Sequence, residues 1–137
     1  MNIEQRIRDS FARQGMMETL GARLRSIRAG AVEIEAPIRA EVSQQQGFGH
    51  AALAFGIGDS AAGYSALSIL PEGMEVLASE MKIHLLAPAR GERLIARGRI
   101  IKPGRRLVIA AADVFALSDQ GEVQIALLIG TIVPVPA

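Results

Sequence analysis

The sequence predicts an α+β fold: a long central helix wrapped by a curved antiparallel sheet of about six strands, preceded by a short N-terminal helix. Three observations predict it. Residues 51–70 are apolar on every side at helical spacing, and Asp59 is the only formal charge between Glu41 and Glu72. A helix without a polar face must be buried all round. Several other segments alternate apolar with polar residues, the pattern of strands in a sheet with one wet face. The turns between the later strands are short, which favours antiparallel neighbours.

Each element follows in order. Ile3, Ile7 and Phe11 recur among charged residues at helical spacing, so residues 3–14 read as a short amphipathic helix ended by Gly15, with Met16, Met17 and Leu20 packing a further turn. Two short strands flank Gly30. In the second, Val32, Ile34, Ala36 and Ile38 face one way and Glu33 and Glu35 the other. A polar loop, Ser43 to His50, leads into the apolar helix, which stops before Pro71. Leu77 to Pro88 then alternates Met81, Ile83 and Leu85 against Glu80, Lys82 and His84. Further strands run over 94–101, 107–117 and 122–133. The turns between them are Pro88-Ala89-Arg90-Gly91, Lys102-Pro103-Gly104-Arg105 and Ser118-Asp119-Gln120-Gly121. With no repeat, linker or low-complexity tract, residues 1–137 are expected to form a single domain.

Composition narrows the function. At 137 residues, 50% hydrophobic and 21% charged, the chain is long enough to bury one sizeable core. A net charge of +1 leaves no basic footprint for nucleic acid. The absence of cysteine excludes disulfides, thiolate zinc sites and a cysteine nucleophile. His50 and His84 are too few for a histidine-rich metal centre, and no metal or cofactor is expected. The charged N-terminus lacks the apolar run of a signal peptide. Residues 51–70 match a membrane span in length, but Asp59 in their middle would be costly in lipid. A cytoplasmic protein that does not insert into membranes is the expectation.

Asp59 is the strongest chemical signal. Burying a carboxylate without partners costs several kcal/mol (order of magnitude), so a lone acid in so apolar a stretch needs a reason. It either caps a kink near Gly56 and Gly58 or serves as a catalytic carboxylate. His50, at the helix entrance, either caps the helix or acts beside its free N–H groups. Those of Ala51 and Ala52 form a positive end suited to an oxyanion. Asp59 lies nine residues beyond His50, roughly 13 Å along a helix. The acid and its own helix start cannot both grip one small carbonyl. If both act on one substrate, the second must come from another protomer, at the interface of a two-fold dimer.

Three look-alikes carry less. Gly56-Ile57-Gly58-Asp59-Ser60-Ala61 fits a dinucleotide-binding pattern with Glu80 near the place of a ribose-binding acid, but Asp59 would face the pyrophosphate and no βαβ unit follows. Gly63-Tyr64-Ser65-Ala66-Leu67 lacks the second glycine of a serine-hydrolase elbow. Lys102, Arg105 and Arg106 sit on a charged hairpin, either solvated or available to phosphates.

Gln45-Gln46-Gly47-Phe48-Gly49-His50-Ala51-Ala52, followed by Asp59-Ser60-Ala61-Ala62-Gly63-Tyr64, resembles the central motif of phenylacetyl-CoA thioesterase-like (PaaI-type) hotdog thioesterases. Glu80 to Ala89 resembles their long strand, and Lys102 to Leu107 the next hairpin, in the same order over roughly residues 15 to 133. The resemblance implies a hotdog fold, homodimers or dimer-of-dimers tetramers, and hydrolysis of acyl-CoA thioesters without metal or cofactor. By position it makes Asp59 the nucleophile or general base, the Ala51 amide the oxyanion donor, and His50 with Gln44 or Gln45 the orienting groups. It places the substrate near Ala52, Phe55, Ala62, Gly63, Tyr64, Ala78 and Ser79, with Lys102, Arg105 and Arg106 near the CoA phosphates. The family often has His-Gly-Gly where this chain has His50-Ala51-Ala52, Asn where it has Gln44, and Ser or Thr where it has Ala78. A non-catalytic acyl-CoA-binding or sensing module on the same fold is the competing reading. A hotdog dehydratase is disfavoured, because no second His/Asp pairing is present.

Overall fold

In the computed structural model, which describes residues 2–137, two short helices, α1 (Ile3–Ala12) and α2 (Gly15–Leu20), precede strands β1 (Arg23–Arg28) and β2 (Ala31–Pro37). A 3-10 turn (Ala40–Val42) and a loop lead to the long helix α3 (Ala51–Leu67). Strands β3 (Met74–Leu85), β4 (Arg93–Pro103), β5 (Val108–Ser118) and β6 (Gly121–Pro136) complete the chain. The expected α+β class, central helix and six strands are borne out.

All six strands form one antiparallel sheet in the order β1-β2-β4-β5-β6-β3. The sequence-adjacent pairs β4–β5 and β5–β6 are hairpins, as the short turns predict. Strand β3 pairs only with β6 and forms one edge, with a bulge at Ser79. The opposite edge, β1, is short, rich in arginine and bulged, features that discourage strand addition. Strand β3 is twelve residues long, contains no fully buried residue, and exposes Leu77 and Leu85.

The sheet curls round α3 because small residues allow contact between backbones. A Cβ on Gly98 of β4 would lie 2.3 Å from both the Ala61 carbonyl oxygen and Ser65 Oγ, so only glycine fits there. Ser65, fully buried, donates to the Ala61 carbonyl (2.8 Å) and accepts the Val32 N–H (3.0 Å), tying helix to β2. Ser68 Oγ accepts the Gly30 N–H at 2.7 Å, fixing the β1–β2 turn against the helix end. Ile34, Leu53, Ile57, Leu67, Leu94 and Leu128 fill the core between them.

The alternation in β2 appears as expected: Val32, Ile34 and Ala36 are buried. On the other face Glu33 meets Arg25 and Arg97, and Glu35 meets Arg23 and Arg93. One expectation is corrected. Helix α3 is not buried all round: Ala52, Phe55, Gly56, Asp59, Ser60 and Gly63 form an uncovered or half-covered stripe. The sheet curls only part of the way round, and what remains open is the face that carries the single acid. The helix also ends at Leu67, before the apolar run does. It is shorter than a membrane span, and among the described residues no helix is long and apolar enough to cross a membrane.

Candidate active site

The start of α3 is set by a tight loop. The backbone N–H groups of Gln44 and His50 donate to the carbonyls of Phe48 and Val42 (2.8 and 2.9 Å), and Gly49 N–H donates to Ala89 (2.9 Å). A Cβ on Gly49 would meet that of Ala89 at 3.1 Å, tighter than most such contacts. His50 is the extended N-cap residue, with φ −65° and ψ 146°. Its Nδ1 accepts the Ala52 N–H at 2.8 Å, so the imidazole proton resides on Nε2. The Ala51 N–H has no hydrogen-bond partner among the described residues. Of the two amides expected to be free, Ala52's is therefore capped and Ala51's is open. Ala51 and His50 border a cleft of about 420 Å³ with Phe48, Leu85, Leu86 and Ala87.

Asp59 borders a different cavity, of about 230 Å³, between α3, the N-terminal helices and the β3–β6 edge. Its carboxyl is half-buried, and burial pushes its pKa above the ordinary aspartate value, with no charged neighbour contributing. Gly63, one helical turn further on, has open space where a Cβ would stand. Tyr64 is buried, and its phenol accepts from Gln14 Nε2 (2.8 Å) and bonds Ser10 Oγ (3.0 Å). Ala78, from β3, lines the same cavity, whereas Ser79 is taken out of register by the bulge.

The other expected site residues separate. Gln44 Oε1 accepts the N–H groups of Gln46 and Phe48, so this side chain organises the loop, while Gln45 is exposed. Ala62 is fully buried in the core and borders neither cavity, a correction to its expected place at the substrate. Phe55 and Ala52 lie on the open stripe, also outside both cavities. Lys102, Arg105 and Arg106 are exposed around the β4–β5 hairpin. Among the described residues no group of three or more His, Asp or Glu side chains is gathered to hold a metal ion.

Sequence reasoning missed Ser10, Gln14, Glu75 and Val76 around Asp59, and Phe48 beside His50. Nothing in the spacing could join Gln14 to Tyr64, fifty residues away. Phe48 carried a weak signal, as the one aromatic residue in a polar loop; its ring faces the Arg90 guanidinium at 4.6 Å.

A family model described as the thioesterase superfamily matches residues 46–123. A solved structure of a thioesterase family protein from Silicibacter pomeroyi is 41% identical, with a TM-score of 0.96, covering 99% of this chain and 100% of that one. The PaaI protein from the phenylacetic acid degradation operon of E. coli has a TM-score of 0.86 at 18% identity, covering 98% of this chain and 94% of that one. A thioesterase from Haemophilus influenzae has a TM-score of 0.85 at 16% identity, covering 99% and 92% respectively. No curated protein matches the chain.

Proposed function

The chain belongs to the thioesterase superfamily, as a PaaI-like thioester hydrolase of hotdog fold, and from that premise we propose that it hydrolyses acyl-CoA at a site shared between two protomers. The observation that carries this reading is a separation. The unpartnered Ala51 N–H and the Asp59 carboxyl border different cavities on the same helix, about 12 Å apart along its axis.

Two copies related by a two-fold axis bring one protomer's helix start to the other's acid. The long, half-paired edge of β3 is the surface suited to this, since its backbone groups and exposed Leu77 and Leu85 lack partners within the chain. The same pairing would cover the open stripe of α3. A dimer-of-dimers tetramer is compatible with this arrangement.

In this mechanism the thioester carbonyl accepts from the Ala51 N–H at the positive end of α3. The partner's Asp59 either takes a proton from water, which adds to the carbonyl carbon, or adds directly to give a mixed anhydride. The tetrahedral oxyanion is held by Ala51. Its collapse expels the CoA thiolate, and the free acid is released directly or after hydrolysis of the anhydride. His50 holds the helix start in shape through Ala52 and presents its Nε2–H. Gln45 is the exposed amide left to orient water. Lys102, Arg105 and Arg106 offer charge to the CoA phosphates.

The engagement of Gln44 in the loop favours one other reading, an acyl-CoA-binding module without turnover, because that amide is not free to position water. The test is release of free CoA by the purified protein from short, medium, long and aryl acyl-CoAs, with Asp59→Asn alongside. Release that disappears in the variant supports the proposal. Tight binding without release from any thioester supports the binding module.

A further inference from the structure

We propose that the cavity beside Asp59 selects an uncharged acyl group with a hydrogen-bond-accepting oxygen at its far end, recognised by the hydroxyl pair Ser10–Tyr64; this rests on the thioesterase reading above. Tyr64 Oη accepts from Gln14 Nε2, and one hydrogen bond joins Tyr64 Oη to Ser10 Oγ. Two hydroxyls carry two protons, and the bond between them uses one. If Ser10 donates, the Tyr64 proton is left over; if Tyr64 donates, the Ser10 proton is. Either way one donor remains uncommitted, and both residues border the cavity. A donor without an acceptor in a partly buried site costs free energy unless water or ligand takes it.

Position and charge narrow the ligand. Tyr64 lies five residues beyond Asp59 on α3, their backbones roughly 7.5 Å apart along the axis, and Ser10 comes from α1, so acid and hydroxyl pair enter the cavity from different positions of its lining. Leu67, Val76 and Ile132 give the cavity apolar lining, which suits methylenes or an aryl ring. Glu75 borders the same cavity. With Asp59 it gives the cavity two carboxylates in its lining, so an acyl group ending in its own carboxylate meets like charge. An uncharged keto or ether oxygen meets none.

The rival explanation is that the cluster merely docks α1 and α2 onto α3. Selectivity separates the two, because docking does not distinguish one acyl tail from another. The probes are octanoyl-CoA, the analogue with a ketone next to its terminal methyl, and the equally long analogue ending in a carboxylate. The proposal predicts kcat/KM for the keto compound about tenfold above octanoyl-CoA, with the carboxylate compound poorest. Ser10→Ala keeps the keto preference, because Tyr64 then has no internal acceptor for its proton. The triple variant Ser10→Ala/Gln14→Leu/Tyr64→Phe removes both hydroxyls and the Gln14 N–H that the tyrosine held, and brings the ratio near one, whatever its absolute rate. A parent ratio near one, or a ratio unchanged in the triple variant, overturns the proposal. Calorimetric binding of the matching non-hydrolysable thioethers reads the same preference without turnover. Failure of every thioester to release CoA would therefore count against the thioesterase reading, while the selectivity is still decided by binding.

Discussion

His50 Nδ1 accepts the Ala52 N–H at 2.8 Å, and the neighbouring Ala51 N–H is left without a partner. The imidazole satisfies one orphan amide of the helix start and leaves the adjacent one open, the amide proposed to hold the thioester carbonyl. His50→Ala should lower stability by about 1 kcal/mol through loss of the cap and reduce kcat as the helix start frays. His50→Asn, whose side chain also caps, should restore stability. Thermal melts alongside kcat check both, and an unchanged melt in His50→Ala would remove the cap from the account.

Burial holds the Asp59 carboxyl above the ordinary aspartate value. Between the unfolded and folded pKa values the folded protein binds more protons, so Asp59 costs stability as pH rises through that window. Asp59→Asn should therefore melt at higher temperature than the parent at neutral pH, while losing most activity. The difference in melting should close below the ordinary aspartate range. In the parent, kcat/KM should rise with pH through the folded pKa, on an acid limb above that range. A variant that melts lower at neutral pH would contradict the desolvation argument.

Two contacts hold α3 where the site needs it. Gly98→Ala would place a Cβ 2.3 Å from the Ala61 carbonyl oxygen and Ser65 Oγ, and should cost about 1–3 kcal/mol by overpacking. Ser65→Ala strands the buried Val32 N–H, at a cost of about 1–3 kcal/mol. Denaturant unfolding measures both, and losses near zero would show that the helix is held elsewhere.

Gly63 gives a contrasting case, because a Cβ there meets nothing within 4 Å. Gly63→Ala should stabilise the helix by up to about 1 kcal/mol while taking room from the cavity beside Asp59. The rate with the bulkiest accepted acyl group should fall more than the rate with the shortest. Equal effects on both would place the acyl group outside this cavity.

The strands were legible because alternation records which face meets the core, as Val32 to Ile38 do, and the short turns recorded the β4–β5–β6 order. The place of β3 at the far edge was not, because its alternation resembles that of an interior strand and its pairing with β6 is long-range. An apolar helix announced burial, but not that part of its cover would be missing from a single chain. Asp59, His50 and Ala51 stood out locally. Their assignment to separate cavities followed from helical rise alone, whereas the Ser10–Tyr64–Gln14 cluster depends on how α1 and α2 dock.

The shared site is tested most directly by mixing two inactive variants. Asp59→Asn removes the acid. Ala51→Pro removes the N–H proposed to hold the oxyanion, at the first helical position, where proline is well tolerated and where the extended His50 backbone already suits a following proline. In a heterodimer of the two, one site inherits both lesions and the other inherits neither. Equimolar mixing with subunit exchange should restore about a quarter of the parent rate, since half the dimers are mixed and half of their sites are intact. A mixture as inactive as either variant alone, with exchange demonstrated, would place acid and amide in one protomer and contradict the account.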